Sequence, residues 1–178
     1  MLRFLNNSKS VYLKRFTISE VDELVRYYEN LGLNSHTFAP HQFDREALLQ
    51  IYSKCLNQIG YIAQDVEYEN IVAYSVVKKG LISYDRLRIE SDGIFINPDT
   101  DYSFAPSVAI NWQKQGLSTI ILDFILAELI PLGLKRLFLW GGVQLTNTNA
   151  ITFYQSKGFK TIRVFEHNGQ NADMILEV

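Results

Sequence analysis

The sequence has one cysteine, Cys55, and three histidines among its 178 residues. A single cysteine excludes an intramolecular disulfide and a cysteine-rich zinc site. The histidines, His36, His41 and His167, form no His-Glu-x-x-His pattern, so a zinc hydrolase is not expected. We therefore predict that the protein uses no metal.

Positive charge is not in excess, and long apolar runs are missing. The 17 Lys and Arg residues are outnumbered by 19 Asp and Glu, which gives a formal net charge of −2. A nucleic-acid partner is not expected, because phosphate binding needs a basic surface. The longest apolar stretch, residues 120–130, contains Asp123 and Glu128 and is shorter than a membrane span. The first residues leave no room for a signal peptide. These absences predict a soluble, cytoplasmic protein with no membrane partner.

The composition is that of a globular protein, with 47% hydrophobic and 20% charged residues. No repeat, low-complexity tract or linker divides the chain, so we expect a single domain over residues 1–178. Hydrophobic periodicity and turn residues predict helices at 21–32, 44–57, 116–130 and 149–156. Strands are predicted at 11–16, 61–66, 70–77, 87–90, 94–97, 102–110, 137–140, 161–167 and 171–178. The fold class is α/β (α+β), a mixed sheet with helices on both faces.

Two dipeptides in this pattern are strong turn signals. Asp92-Gly93 lies between the predicted strands 87–90 and 94–97, which we interpret as an inserted hairpin. Asn168-Gly169 predicts a second hairpin near the end of the chain.

The loop after the strand at 102–110 reads Gln113-Lys-Gln-Gly-Leu-Ser118 and leads into an apolar helix. The first N–H groups of that helix have no partner within it and lie at the positive end of its dipole. Gly116 has no Cβ, so an anion such as a pyrophosphate can approach closely. The alternative is an ordinary strand-to-helix loop. The pattern is neither a Walker loop nor a dinucleotide-binding Gly-x-Gly-x-x-Gly.

A second segment, residues 139–159, reads as a strand, a polar loop and a short helix that ends at glycine. Together the two segments resemble the GNAT N-acetyltransferase superfamily. Gln113, Gly116 and Ser118 match its Gln/Arg-x-x-Gly-x-Gly/Ala loop, with serine at the last small position. The later motif, Asn-x-x-Ala-x-x-x-Tyr-x-x-x-Gly-Phe, is matched at every position by Asn147, Ala150, Tyr154, Gly158 and Phe159. The resemblance covers about residues 60–178.

The resemblance implies a mostly antiparallel twisted sheet of about seven strands and a binding site for acetyl-CoA. It implies that the loop from Gln113 through Gln115, Gly116, Leu117 and Ser118 holds the pyrophosphate. It also implies that the strand carrying Val108 and Ile110 runs beside the pantetheine arm and that Asn147 binds near it. Tyr154 would protonate the leaving thiolate, which suits a phenol because its usual pKa is about 10. The alternative for Tyr154 is a packing role.

The acceptor site is less constrained by the sequence. Arg86 and Arg88 carry two guanidiniums that can bind a carboxylate, and the alternative is an exposed strand with alternating charges. His36, between the first two helices, and Trp140, before two glycines, are further candidates for acceptor binding. No carboxylate stands out as the general base among Glu67, Glu69, Asp85, Glu90, Asp99 and Asp101.

The resemblance therefore implies an enzyme that transfers an acetyl group from acetyl-CoA to a primary amine of a small molecule or peptide. Direct attack in a ternary complex is expected, because Cys55 lies outside both motifs and no covalent intermediate is indicated. The alternative is a non-catalytic acyl-CoA-binding or regulatory domain of the same fold. Proteins of this type often form homodimers, although nothing in the sequence requires one.

Overall fold

The computed structural model describes residues 1–5, 9–31, 40–54 and 57–178. These residues form five α-helices: α1 (Val21–Glu29), α2 (Arg45–Lys54), α3 (Ser83–Glu90), α4 (Leu117–Leu129) and α5 (Thr148–Ser156). They also form nine strands: β1 (Leu2–Phe4), β2 (Ser10–Arg15), β3 (Gln58–Asp65), β4 (Ile71–Lys79), β5 (Asp101–Val108), β6 (Arg136–Leu139), β7 (Val143–Gln144), β8 (Lys160–Glu166) and β9 (Gln170–Glu177). The predicted mixed α/β class with a mostly antiparallel open sheet is confirmed. The short strands β1 and β7 were not predicted.

The described chain forms two compact units, and β4 and β5 each pass from one to the other. The first unit comprises Met1–Val77 and Ala105–Glu128, and the second comprises Lys78–Phe104 and Leu129–Val178. The single domain over residues 1–178 stays a prediction. None of the described helices has the length and apolar character needed to cross a membrane.

The first unit is built on antiparallel pairing of β1 with β2 and of β2 with β3. Its helix α1 buries Val21, Leu24 and Tyr27 along one face, the spacing expected of an amphipathic helix. Before α1, the backbone N–H of Thr17 donates to the Glu20 carboxylate at 2.9 Å, one half of a capping box. The first seven residues of β4 are buried.

The second unit contains one parallel strand pair, between β5 and β6 over Asp101–Phe104. The strand β9 pairs antiparallel with β6, β7 and β8. Asn168 and Gly169 both have positive φ, 50° and 106°, and turn the chain between β8 and β9. The predicted hairpin at this turn is therefore confirmed.

The predicted hairpin at 87–97 is wrong, because residues Ser83–Glu90 form the helix α3 and residues 94–97 form no strand. The Asp92-Gly93 pair ends a helix instead of joining two strands. Gly93 has φ +80°, and its N–H donates to the Glu90 carbonyl at 3.0 Å. A glycine with positive φ serves both a tight hairpin turn and a helix C-terminus, so the dipeptide alone does not distinguish the two.

A buried ion-pair network attaches α3 to the rest of the second unit. Arg88 donates from Nε and Nη2 to the two carboxylate oxygens of Asp173, both at 2.7 Å, and from Nη2 to Asp85 at 2.8 Å. All three side chains are buried. Arg163 donates to the Arg88 carbonyl at 2.7 Å, near the C-terminus of α3, where a cation is favourable. These contacts fix both the position and the rotation of the helix.

Replacing Arg88 with leucine is expected to lower the free energy of unfolding by about 3 to 5 kcal/mol, because two buried carboxylates lose their counter-ion. Urea denaturation measures this loss. Arg86→Leu is the matched control on the same helix: its pair with Glu90 is exposed, so a loss of about 0.5 kcal/mol or less is expected. Equal losses in the two variants would contradict the anchoring role of Arg88.

Candidate functional site

The predicted phosphate loop follows β5 in the first unit. The strand ends at Val108, and Ile110 begins a short 3-10 turn, Ile110–Trp112, with its side chain 66% exposed. The prediction that Ile110 lies in the strand is therefore wrong. The side-chain amide of Gln113 donates to the Val108 carbonyl at 3.1 Å, so these two predicted site residues do meet. Gln115 donates in the same way to the Asn111 carbonyl at 2.9 Å.

The start of α4 presents a row of backbone donors. Gly116 has φ +88°, and its carbonyl accepts the first helical bonds, from the N–H groups of residues 119 and 120. The N–H groups of Gly116, Leu117 and Ser118 donate to no described residue. Unpaired N–H groups at the positive end of a helix dipole favour an anion, and they fit the predicted pyrophosphate.

The end of β5 that leads into this loop is attached to β4 by two hydrogen bonds and to α1 by a third. The N–H of Ala109 donates to the Val72 carbonyl at 2.9 Å, and the Ser107 hydroxyl donates to the Tyr74 carbonyl at 3.1 Å. Tyr27 of α1 donates in turn to the Ser107 hydroxyl oxygen at 2.9 Å. No local sequence pattern indicates this cluster, because its members come from segments far apart in the chain.

His41 ends a hydrogen-bonded chain that runs into the same cluster. Its Nδ1 lies 2.8 Å from the Gln42 carbonyl, and its Nε2 lies 2.9 Å from the Tyr74 hydroxyl. Because a carbonyl only accepts, Nδ1 carries the proton, and Nε2 therefore accepts from Tyr74. The Tyr74 oxygen then accepts from the Tyr52 hydroxyl. Burial lowers the pKa of His41, consistent with a neutral ring. His36 and Cys55 lie outside the described residues.

The N-terminus of α5 in the second unit is capped by Asn147. Its side-chain oxygen accepts from the N–H of Ala150 at 3.2 Å, the usual role of asparagine at this position. Asn147 is exposed, and its side-chain NH₂ makes no bond to a described residue. The Asn147 side chain, which is predicted to bind near the pantetheine arm, therefore also caps the helix.

The C-terminus of α5 holds Tyr154 in place. The N–H of Phe159 donates to the Tyr154 carbonyl, and the N–H of Gly158 donates to the Gln155 carbonyl, both at 3.0 Å. Gly158 has φ +88°. This pair of bonds is the Schellman motif, which is accompanied by an apolar contact between the residues at its two ends. That contact is present here, because the Tyr154 and Phe159 rings are 5.2 Å apart.

The Tyr154 ring is buried, yet its hydroxyl makes no hydrogen bond to any described group. Burial alone raises the pKa of this hydroxyl above its usual value of 10. The group is therefore protonated at neutral pH and has a proton to donate.

The candidate acceptor residues of the second unit lie in different surroundings. Arg86 is exposed and pairs with Glu90, whereas Nε and Nη2 of Arg88 are bound by Asp173 and Asp85 and its buried Nη1 donates to no described residue. Trp140 is half-buried directly after β6, and the next N–H, of Gly141, donates to Asp85 at 2.8 Å. A Cβ at Gly142 would meet the carbonyl of residue 172 at 2.9 Å, so glycine is required there.

No group of three or more His, Cys, Asp or Glu side chains in the described ranges is placed to hold a metal ion.

A family model identifies the family of this chain, and solved structures share its fold. The sequence model of the acetyltransferase (GNAT) family matches residues 42–159. Among solved structures, the GNAT domain of S. lividans PAT shares 16% identity, with a TM-score of 0.77 over 100% of this chain and 96% of that one. Arabidopsis thaliana NAA60, solved with acetyl-CoA, shares 16% identity, with a TM-score of 0.66 over 94% of this chain and 98% of that one. A search of curated proteins returned no match.

Protonation of His41 is expected to weaken the fold. Its lowered pKa means that the neutral ring stabilises the protein above pH about 6.5, the usual histidine value, and that this contribution is lost as the pH falls. Urea unfolding between pH 7.5 and 5 is therefore expected to show a steeper loss of stability in the wild type than in His41→Gln. His167→Gln, at an exposed position, is the control and should follow the wild type. Parallel curves for all three proteins would contradict the assignment.

Proposed function

Because the chain belongs to the acetyltransferase (GNAT) family, we propose that it transfers an acetyl group from acetyl-CoA to a primary amine of a small molecule or peptide. The observation that carries the proposal is the row of N–H groups from Gly116 to Ser118 at the start of α4, which donate to none of the described residues. Such a row suits a pyrophosphate, the most strongly charged part of the donor. NAA60 of Arabidopsis thaliana, which has the same fold, was solved with acetyl-CoA, and this supports the same donor here.

In this proposal the loop binds the phosphates through its backbone, and Gly116 allows them to approach closely. The Ser118 hydroxyl adds a further donor beside the N–H groups. Val108 lies beside the pantetheine arm, and the exposed side chain of Ile110 offers it an apolar contact. Asn147 contributes its side-chain NH₂, because its oxygen is already used as the cap of α5.

The proposed reaction is direct attack of the amine on the thioester in a ternary complex. The neutral amine nitrogen forms a bond to the acyl carbon, the carbon–sulfur bond breaks, and the nitrogen loses its proton to water. The CoA sulfur leaves as a thiolate and takes a proton from the Tyr154 hydroxyl, and the phenolate regains a proton from the solvent that accepted the one from nitrogen, so no net proton is gained or lost. No covalent bond to the protein is formed.

The surroundings of Tyr154 affect this step in two ways. Burial raises its pKa, so the proton is present when the thiolate forms. The same rise reduces the driving force for transfer, since a thiol has a pKa near 8.5. Tyr154 therefore contributes mainly by donating a hydrogen bond as charge develops on sulfur, with full transfer completing the step.

Replacing Tyr154 with phenylalanine is expected to lower kcat by about 10²-fold while the Kd for acetyl-CoA changes little. Steady-state kinetics with a panel of primary amines, together with calorimetric titration of acetyl-CoA, measures both quantities. Tyr68→Phe, at an exposed tyrosine of the other unit, is the control and should keep full kcat. An unchanged kcat in Tyr154→Phe would rule out the acid role.

Replacing Gly116 with valine is expected to weaken acetyl-CoA binding by tenfold or more, because a β-branched residue disfavours φ +88° and adds bulk beside the phosphates. Calorimetric titration should show that the wild type binds acetyl-CoA and CoA but not ATP. Gly133→Val is the matched control, since Gly133 has φ +97° and open space around it but lies beyond α4. The Gly133→Val variant should lose stability and keep its affinity for acetyl-CoA. Absence of wild-type binding at millimolar acetyl-CoA would refute the donor site.

A further inference from the structure

The strand β8 lies at the edge of the sheet in the second unit. Among the described residues it pairs with β9 alone. In an antiparallel ladder, alternate N–H and C=O groups point to the two sides of a strand. Those on the outer side of β8 bond to no described residue. The strand has seven residues, with threonine, isoleucine, valine and phenylalanine among them, so its free edge is a template for a further strand.

A groove of about 460 Å³ lies beside this strand, between β8 and α3. Tyr84 and Leu87 lie one turn apart on α3, and both line the groove. Their side chains are 60% and 70% exposed. Two large apolar side chains next to a free strand edge indicate a surface that contacts another molecule.

The two arginines that line the groove do not require an anionic partner. Arg88 donates from Nε and Nη2 to the carboxylates of Asp173 and Asp85. Its Nη1 donates to no described residue, but this atom is buried, so a small anion cannot reach it without a rearrangement. Arg163 pairs with Asp92 at 3.2 Å. A partner therefore has to supply apolar surface and strand hydrogen bonds rather than a counter-ion for these arginines.

The two ends of β8 carry opposite charges at the surface. Lys160 lies 3.6 Å from Glu177, and both side chains are exposed, so this contact contributes little. Glu166 accepts the N–H of Gly169 and has no cationic partner among the described residues. When two copies of β8 lie side by side and antiparallel, the Lys160 end of each lies beside the Glu166 end of the other. A parallel arrangement would instead place like charges together, which is unfavourable.

The position of α3 also suits a second copy. The helix lies over β8 and β9, because Arg88 bonds to Asp173 of β9 and its guanidinium lies 3.7 Å from the centre of the Phe165 ring of β8. Strands are about 4.8 Å apart in a continuous sheet, so two such helices on joined sheets would lie about 10 to 14 Å apart. Packed helices lie about 8–10 Å apart, and side chains as large as Tyr84 and Leu87 bridge the difference.

We propose that the protein forms a twofold homodimer in which the β8 strands of two copies pair antiparallel, while Tyr84 and Leu87 of the two α3 helices meet above the joined sheet. Each copy presents the same surface, as a closed twofold interface requires. The ladder between β8 and β9 shifts register between Thr161 and Arg163, which bends the middle of the strand. The charged ends of β8 and the helix contact therefore determine the strength of the dimer. This inference does not depend on acetyl transfer.

The charges at the ends of β8 are tested by exchanging them. Sedimentation velocity of the full chain, from micromolar to millimolar concentration, measures the dimer fraction. Glu166→Lys should weaken the dimer by about tenfold, because each interface would then contain two lysine–lysine contacts. Lys160→Glu should weaken it similarly through two glutamate–glutamate contacts. The double variant with both substitutions should restore the dimer to within about threefold of the wild type, since opposite charges again meet.

The helix contact is tested by Leu87→Arg, which brings two cations together near the twofold axis. This variant should weaken the dimer by about tenfold, and it should fold normally because the Leu87 side chain is exposed. Leu132→Arg is the matched control. Leu132 is 61% exposed and lies outside both α3 and β8, so its replacement should leave the dimer unchanged.

Amide hydrogen exchange locates the interface. The amides of β8 should exchange more slowly in concentrated than in dilute protein, whereas those of β1, the edge strand of the first unit, should not change. A chain that stays monomeric at all concentrations would overturn the inference. A dimer that is unaffected by Leu87→Arg and the single charge variants, or one that the double variant fails to restore, would overturn it as well.

Discussion

The first unit depends most on the hydrogen bonds made by the buried residue Tyr74. Its hydroxyl donates to His41 and accepts from Tyr52, and its carbonyl accepts from Ser107, which in turn accepts from Tyr27. A buried donor or acceptor without a partner costs about 1 to 3 kcal/mol, so each bond constrains the others. Together they hold the segment before α2, the last turn of α2, α1 and the end of β5 against β4. The candidate phosphate loop begins where that end of β5 is fixed.

The parts of the candidate site that the sequence predicted are those with local causes. The cap at Asn147, the positive φ of Gly158 and the ring of Phe159 all lie within thirteen residues of chain, and together they place Tyr154. The loop before α4 is similar, because Gly116 alone supplies the φ +88° from which the helix starts. Each of these features depends on neighbouring residues, and each lies within one of the two sequence motifs.

The features that were not predicted depend on partners distant in sequence. The sequence predicts a strand at 87–90 where the helix α3 forms, because the Asp92-Gly93 ending is shared with hairpins and the anchor of the helix, Asp173, lies 85 residues from Arg88. Likewise, no local pattern indicates that Tyr74 will meet Ser107. Single-sequence reasoning identifies a charged or aromatic residue but not the group that will neutralise or cover it.

The dependence on partners distant in sequence explains why Arg86 and Arg88, which the sequence offers as candidates for acceptor binding, do not mark a binding site. In the folded chain Arg88 forms a buried ion pair and Arg86 forms an ion pair at the surface. The charge of each arginine is therefore already compensated by a carboxylate. The candidate chemistry lies instead on groups that the described fold leaves without partners, namely the N–H groups at the start of α4 and the Tyr154 hydroxyl. A buried or oriented donor without an acceptor is costly to maintain, and a ligand that supplies the acceptor recovers that cost.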